Sequence, residues 1–187
     1  IKTALEKVGW KKIKLEDPNM LIKPSHVKIS LNACIPGYAA DKVSQILLRK
    51  GIKNFLVNAG GEIIAKGSGW QIGIQHPRKQ NELLHSIIID GISVSTSGDY
   101  QQYFNKNEKR YTHIFNPITG LPADGCEAVT IIAENGFTSD ALSTGIFVLG
   151  PDKGMELVEK LPGVEALIVD TTGVIHKSSG FKKYILR

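Results

Sequence analysis

The sequence predicts an α+β fold, and three observations lead there. Strand-like stretches follow one another with turn signals between them, without a regular alternation of strand and helix. Three segments carry helical periodicity or helix punctuation, and they fall between groups of strands. The composition, 42% hydrophobic and 22% charged over 187 residues, supplies one core of ordinary size for a globular chain.

Taken in order, "TALEKVGW" near the start reads as the end of a helix. "GYAADKVSQILLRKGI" places Ala40, Val43, Leu47 and Leu48 on one helical face, with Gly51 as the stop. "KNFLVNAGGEIIAKG" surrounds a glycine pair with apolar residues, which predicts two short strands and a tight turn at Gly60-Gly61. "WQIGIQHP" is a further strand, and "LLHSIIIDGISVSTSG" reads as a hairpin turning at Asp90-Gly91, a favoured type I′ pair. "RYTHIF" alternates as a strand and runs into the turn Asn116 to Gly120. "AVTIIAE" is another strand, followed by a helix in "TSDALSTGIFVLG" that Thr138 or Ser139 can cap and whose apolar face carries Leu142, Ile146 and Leu149. "GPDKGMELVEKLPG" reads as a short helix with Pro151 in its first turn, and "VEALIVDTTGVIHKSSG" closes the chain with strands around a Thr-Gly turn.

Charge and cysteine content narrow the function. The net charge of +5 suits an anionic ligand, but the basic residues are spread along the chain and form no arm or block, which argues against nucleic acid as a partner. Cys34 and Cys126 form no C-x-x-C pattern and identify no disulfide framework. No run approaches the roughly 18 apolar residues of a membrane span.

Several stretches can carry chemistry. Asp140 and Thr144 stand four apart, so their oxygens share one helix face, an arrangement open to a hard cation such as Mg²⁺. From spacing alone, the simpler reading is an aspartate complementing the helix dipole. "STSGDY", Ser95 to Tyr100, is small enough to let backbone amides approach a phosphate or a flat ring, and is equally the composition of a polar turn. Gly60 and Gly61 either admit a ligand or mark a bulge. His113, at a strand end, is by residue type either a structural hydrogen bonder or a proton-transfer group. His26, His76, His85 and His176 lack zinc spacing, and there is no nucleophile elbow.

"NAGGEI", "WQIGIQHP", "STSGDY", "YTHIFNPITG" and "TSDALSTGIFVLG", in this order and at these separations, resemble the ApbE family of FAD:protein FMN transferases. The resemblance implies T-fold-like antiparallel sheets with packed helices. It also implies one ApbE-like domain over residues 1–187, without the family's usual N-terminal portion. The implied activity cleaves FAD with Mg²⁺ and moves FMN to a threonine or serine hydroxyl of an acceptor protein, such as a redox-pump subunit, releasing AMP. It implies metal ligation by Asp140, Thr144 and the Ala33 carbonyl, and contacts to the flavin nucleotide from Asn58, Gly60, Gly61, Thr96, Ser97, Gly98 and Gln101. His113 then lies beside the pyrophosphate as the catalytic residue. For location, the resemblance points to the bacterial cell envelope or periplasm.

The chain departs from the family pattern at four polar positions. "ISLNACIPGYAAD" has Ser30 where an acidic residue is typical and Pro36 where a lysine is typical; Gln101 stands for a glutamate and Asn116 for an aspartate. Losing a charge-assisted phosphate contact at Pro36 costs roughly 1–3 kcal/mol of affinity. The alternative these departures support is a diverged FAD-binding protein, or an FAD pyrophosphatase, without transferase activity.

Overall fold

In the computed structural model, residues 1–16, 18–107 and 109–186 are described. The chain builds a six-stranded sheet in the order β12-β11-β10-β7-β4-β3. Its strands are β3 (Phe55–Asn58), β4 (Ile63–Lys66), β7 (Ile92–Gly98), β10 (Cys126–Ala133), β11 (Glu165–Asp170) and β12 (Ile175–Lys177), with every neighbouring pair antiparallel. All eight residues of β10 are buried. Its side chains serve both faces: Val129 and Ile131 enter the core beneath the helices, while Ala128 and Ile132 enter the core beneath a second strand layer. This double burial is why "AVTIIA" is apolar on both faces but for Thr130, whose hydroxyl pairs with that of Thr96.

On the helix side lie α2 (Ile35–Arg49), α3 (Gly136–Leu149) and α4 (Pro151–Val158). On the other side, β5 (Trp70–Gln75) and β6 (Leu83–Ile89) pair with each other and cover the sheet with Ile72, Ile74, Ile87 and Ile89. Two smaller antiparallel pairs complete the strands: β1 (Lys14–Glu16) with β2 (Met20–Ile22), and β8 (Tyr103–Lys106) with β9 (Lys109–Thr112). A single-turn helix, α1 (Lys2–Leu5), opens the chain. No helix among the described residues is long and apolar enough to cross a membrane.

The α+β class and most elements agree with the sequence reading; four details do not. Asp90-Gly91 is not a hairpin turn, because β6 pairs with β5 while β7 belongs to the six-stranded sheet. It is a corner between layers, held where the Gly91 N–H donates to the Ala65 carbonyl at 2.7 Å and the Gly67 N–H to the Asp90 carboxylate at 2.8 Å. Local turn preference identifies a reversal, not the strand it leads to. On α2 the packed face runs through Gly37 and Ala40, whereas Val43 and Leu48 are exposed.

The other two differences lie on α3. The helix begins earlier than the sequence suggests, because Asn135 caps it by accepting from the Thr138 N–H at 2.8 Å, so neither Thr138 nor Ser139 is the cap. Leu149 is exposed, and Phe147 takes its place beside Ile146, both fully buried. Each such side chain contributes roughly 1.5–3 kcal/mol of transfer free energy.

Candidate active site

Strand lengths open the site. β4 pairs β7 only from Ile63↔Val94 to Ala65↔Ile92, whereas β10 follows β7 as far as Gly98. The end of β7 therefore outruns the β3–β4 hairpin, and a cleft of about 340 Å³ occupies the space. Ala33, Pro36, Glu62, Thr96, Ser97, Gln101, His113, Asp140 and Thr144 all line it. Seven of the residues inferred from sequence thus meet in one place: Ala33, Thr96, Ser97, Gln101, His113, Asp140 and Thr144.

The residues inferred around the glycines lie differently. Gly61 lines an adjoining slot of about 260 Å³ that shares Thr96 and Gln101 with the cleft. Asn58, Gly60 and Gly98 line neither cavity. Asn58 Oδ1 accepts from the Gly61 N–H at 2.8 Å and so holds the hairpin turn, in which Gly60 and Gly61 have φ of 80° and 117°. Gly98 makes room for Tyr100: a Cβ built there would stand 2.3 Å from the ring.

The hydroxyls of β7 explain how α3 is placed. Ser93, Ser95 and Ser97 alternate toward the helix; Ser93 and Ser95 both reach the Ser139 hydroxyl at 2.8 Å, and Ser97 reaches those of Ser143 at 2.8 Å and Thr144 at 3.2 Å. These short, satisfied side chains let helix and sheet approach closely, and each buried hydroxyl keeps a partner. Ser97 therefore orients Thr144, while Thr96, on the opposite face, pairs with Thr130 at 2.9 Å.

Asp140 lies in the second turn of α3, so it does not complement the helix start. Its Oδ2 accepts from the Gly37 N–H at 2.9 Å. Burial raises its pKa from the ordinary aspartate value, and that hydrogen bond only partly offsets the effect. The Glu62 pKa is raised as well, first by burial and then by the Asp140 charge. Sequence reasoning passed over Glu62; the signal available was an acidic residue directly after the Asn-x-Gly-Gly turn. No lysine or arginine lines the cleft among the described residues.

Asp140, Thr144 and Ala33 line the same cleft, and their carboxylate, hydroxyl and carbonyl groups are oxygen donors of the kind a hard divalent cation takes. No cluster of three or more His, Cys, Asp or Glu side chains placed to hold a metal ion occurs among the described residues. His113 Nδ1 stands 3.0 Å from the Gln102 carbonyl. Because a carbonyl only accepts, Nδ1 carries the proton in this contact, and Nε2 is the nitrogen able to take one.

Two of the family departures acquire a physical account. Gln101 donates through Nε2 to the Thr96 carbonyl at 3.0 Å, a bond an ionised glutamate cannot make. Asn116 Oδ1 accepts from the Ile118 N–H at 2.9 Å and the Thr119 N–H at 3.3 Å, so it builds its own turn and does not line the cleft. Pro36 does line the cleft, where it supplies no charge. Ser30 is exposed and accepts from the Asn32 N–H at 3.5 Å; nothing in the structure explains its replacement of an acidic residue.

Antiparallel sheets with packed helices and an oxygen-lined cleft at the end of β7 define the class, and comparison with known proteins gives the family. The ApbE family model matches residues 1–168. The FAD:protein FMN transferase of Haemophilus influenzae is 37% identical over 167 residues, spanning 84% of this chain and 48% of that protein. The Escherichia coli K12 protein of the same name is 32% identical over 168 residues, again 84% and 48%. Among solved structures, the ApbE protein of Thermotoga maritima superposes with a TM-score of 0.90 at 37% identity, covering 100% of this chain and 63% of that one. The flavinyl transferase ApbE of Pseudomonas stutzeri, in its apo form, gives 0.84 at 33% identity, with 98% and 59% covered. The chain belongs to the ApbE family. It spans about half the length of the curated relatives it matches.

Proposed function

We propose that this chain carries the reaction centre of an FAD:protein FMN transferase, using Mg²⁺ held by Asp140, Thr144 and the Ala33 carbonyl. The observation that carries the reading is the single cleft that unites these oxygens with Thr96, Gln101 and His113. A bound Mg²⁺ would neutralise charge on the diphosphate. The chain's own groups do the rest. The slot beside the cleft is walled by Ile63, Ile72, Ile74, Val94 and Tyr100 and suits one of the flat ring systems of FAD. His113 Nε2 takes the proton of the acceptor threonine or serine as its oxygen bonds to the FMN-side phosphorus. The bond from that phosphorus to the AMP phosphate breaks, so FAD and a hydroxyl become a phosphoester-linked FMN, AMP and a proton.

Incubating the chain with FAD, Mg²⁺ and a threonine-bearing acceptor domain tests this. Covalent flavin fluorescence on the acceptor together with AMP is the expected result. AMP without labelled acceptor would assign hydrolysis in place of transfer, and neither product would overturn the catalytic reading.

A further inference from the structure

The two helices that flank the cleft entrance grip each other reciprocally. At their crossing Gly37 and Gly136 touch backbone to backbone: a Cβ on Gly37 would stand 2.1 Å from the Gly136 carbonyl oxygen, and a Cβ on Gly136 2.4 Å from that of Gly37. Four residues beyond each glycine is an aspartate, and each aspartate serves the other helix. Asp140 of α3 accepts from the Gly37 N–H in the first turn of α2 at 2.9 Å. Asp41 of α2 accepts from the Gly136 N–H at 2.7 Å and the Phe137 N–H at 2.9 Å, in the first turn of α3. Each carboxylate thus satisfies amides that lack an intrahelical partner and meets the positive end of the opposing dipole.

We infer that Asp41 is a positioning residue for the cleft, acting through this reciprocal clamp. The inference rests on the reading of Asp140 as a cation ligand. By fixing the start of α3 against α2, Asp41 sets the distance at which Gly37 engages Asp140 Oδ2. That contact commits one oxygen of Asp140 to the protein and directs the other, Oδ1, to the ligand. The sequence carries the device as two Gly-x-x-x-Asp spacings, Gly37 to Asp41 and Gly136 to Asp140. Asp41 is half-buried and lines no part of the cleft, so its effect on a cation is indirect.

The test is a calorimetric titration of the chain with Mg²⁺ alone, comparing the parent, Asp41→Ala, Asp41→Asn and Val158→Ala. Val158 is buried on α4 and reports loss of stability away from the clamp. The expected result is a 10- to 100-fold weaker Mg²⁺ affinity in Asp41→Ala, on the order seen when outer-shell partners of metal ligands are removed. Asp41→Asn, which keeps an acceptor oxygen, should fall between it and the parent. It remains informative where the alanine variant does not fold. Val158→Ala should melt earlier yet bind Mg²⁺ as the parent does. Parent-like affinity in the Asp41 variants, or equal weakening in Val158→Ala, would overturn the inference alone. A parent that binds no Mg²⁺ would overturn the metal reading and this inference with it.

Discussion

Two polar cavities lie near the end of β7, and they treat charge in opposite ways. In one, of about 440 Å³, Arg78 bridges Asp99 at 2.6 Å and Glu127 at 2.9 Å, and Arg110 adds a second contact to Asp99 at 3.3 Å. In the other, Asp140 and Glu62 line a space to which no lysine or arginine contributes among the described residues. The first arrangement locks the loop after β7 to β10 and raises the Arg78 pKa, mainly through its bond to Asp99. The second raises carboxylate pKa values through burial. Matched charge holds structure together in the first cavity, whereas carboxylates with raised pKa values make the second the candidate functional site.

Four changes sharpen that contrast, in falling order of effect. His113→Ala should slow transfer of FMN to an acceptor about 10²–10⁴-fold, the usual worth of a general base, with little change in FAD affinity. Stopped assays of AMP release beside FAD titrations separate the two quantities. Arg78→Ala should destabilise the chain by roughly 1–3 kcal/mol in denaturant unfolding, because it removes the ion pair of Glu127 and leaves Asp99 the longer contact to Arg110 at 3.3 Å. Pro36→Lys should tighten FAD binding about tenfold, by adding a phosphate-pairing charge to a cleft lined by no lysine or arginine among the described residues.

The smallest effect concerns pH. The raised pKa of Asp140 means that its contribution to stability is fully present below the unfolded value, near about 3.9, and is lost as pH rises through the folded one. Asp140→Asn removes that loss. The metal-free variant should therefore melt later than the parent at pH 7, with the gap closing as pH falls toward 4.

Much of this was legible in the sequence. β10 declared itself by an apolar run, the β3–β4 turn by Gly60-Gly61, and the second short helix by Pro151, because each signal is local. What stayed hidden depends on distant partners. Asp90-Gly91 looks like a hairpin turn until β7 is seen to pair with β4 and β10. The same holds for the serines of β7, which look like a polar turn until α3 lies against them. Seven inferred site residues were brought together, but Asn58 and Gly98 shape the loops around the cleft, and the sequence signals at Glu62 and Asp41 gained a meaning only once the helices and the hairpin were placed. β8 was missed because its pairing with β9 leaves all four of its residues exposed, without the alternation that marks a half-buried strand.

Setting the two cavities against each other gives the most direct test of the central claim. AMP release from FAD is measured with and without Mg²⁺ for Asp140→Ala and for Arg78→Ala, at a temperature where both remain folded. Loss of the Mg²⁺-dependent rate in Asp140→Ala, with the rate retained in Arg78→Ala, is the expected result. An unchanged rate in Asp140→Ala would contradict the assignment of the cleft.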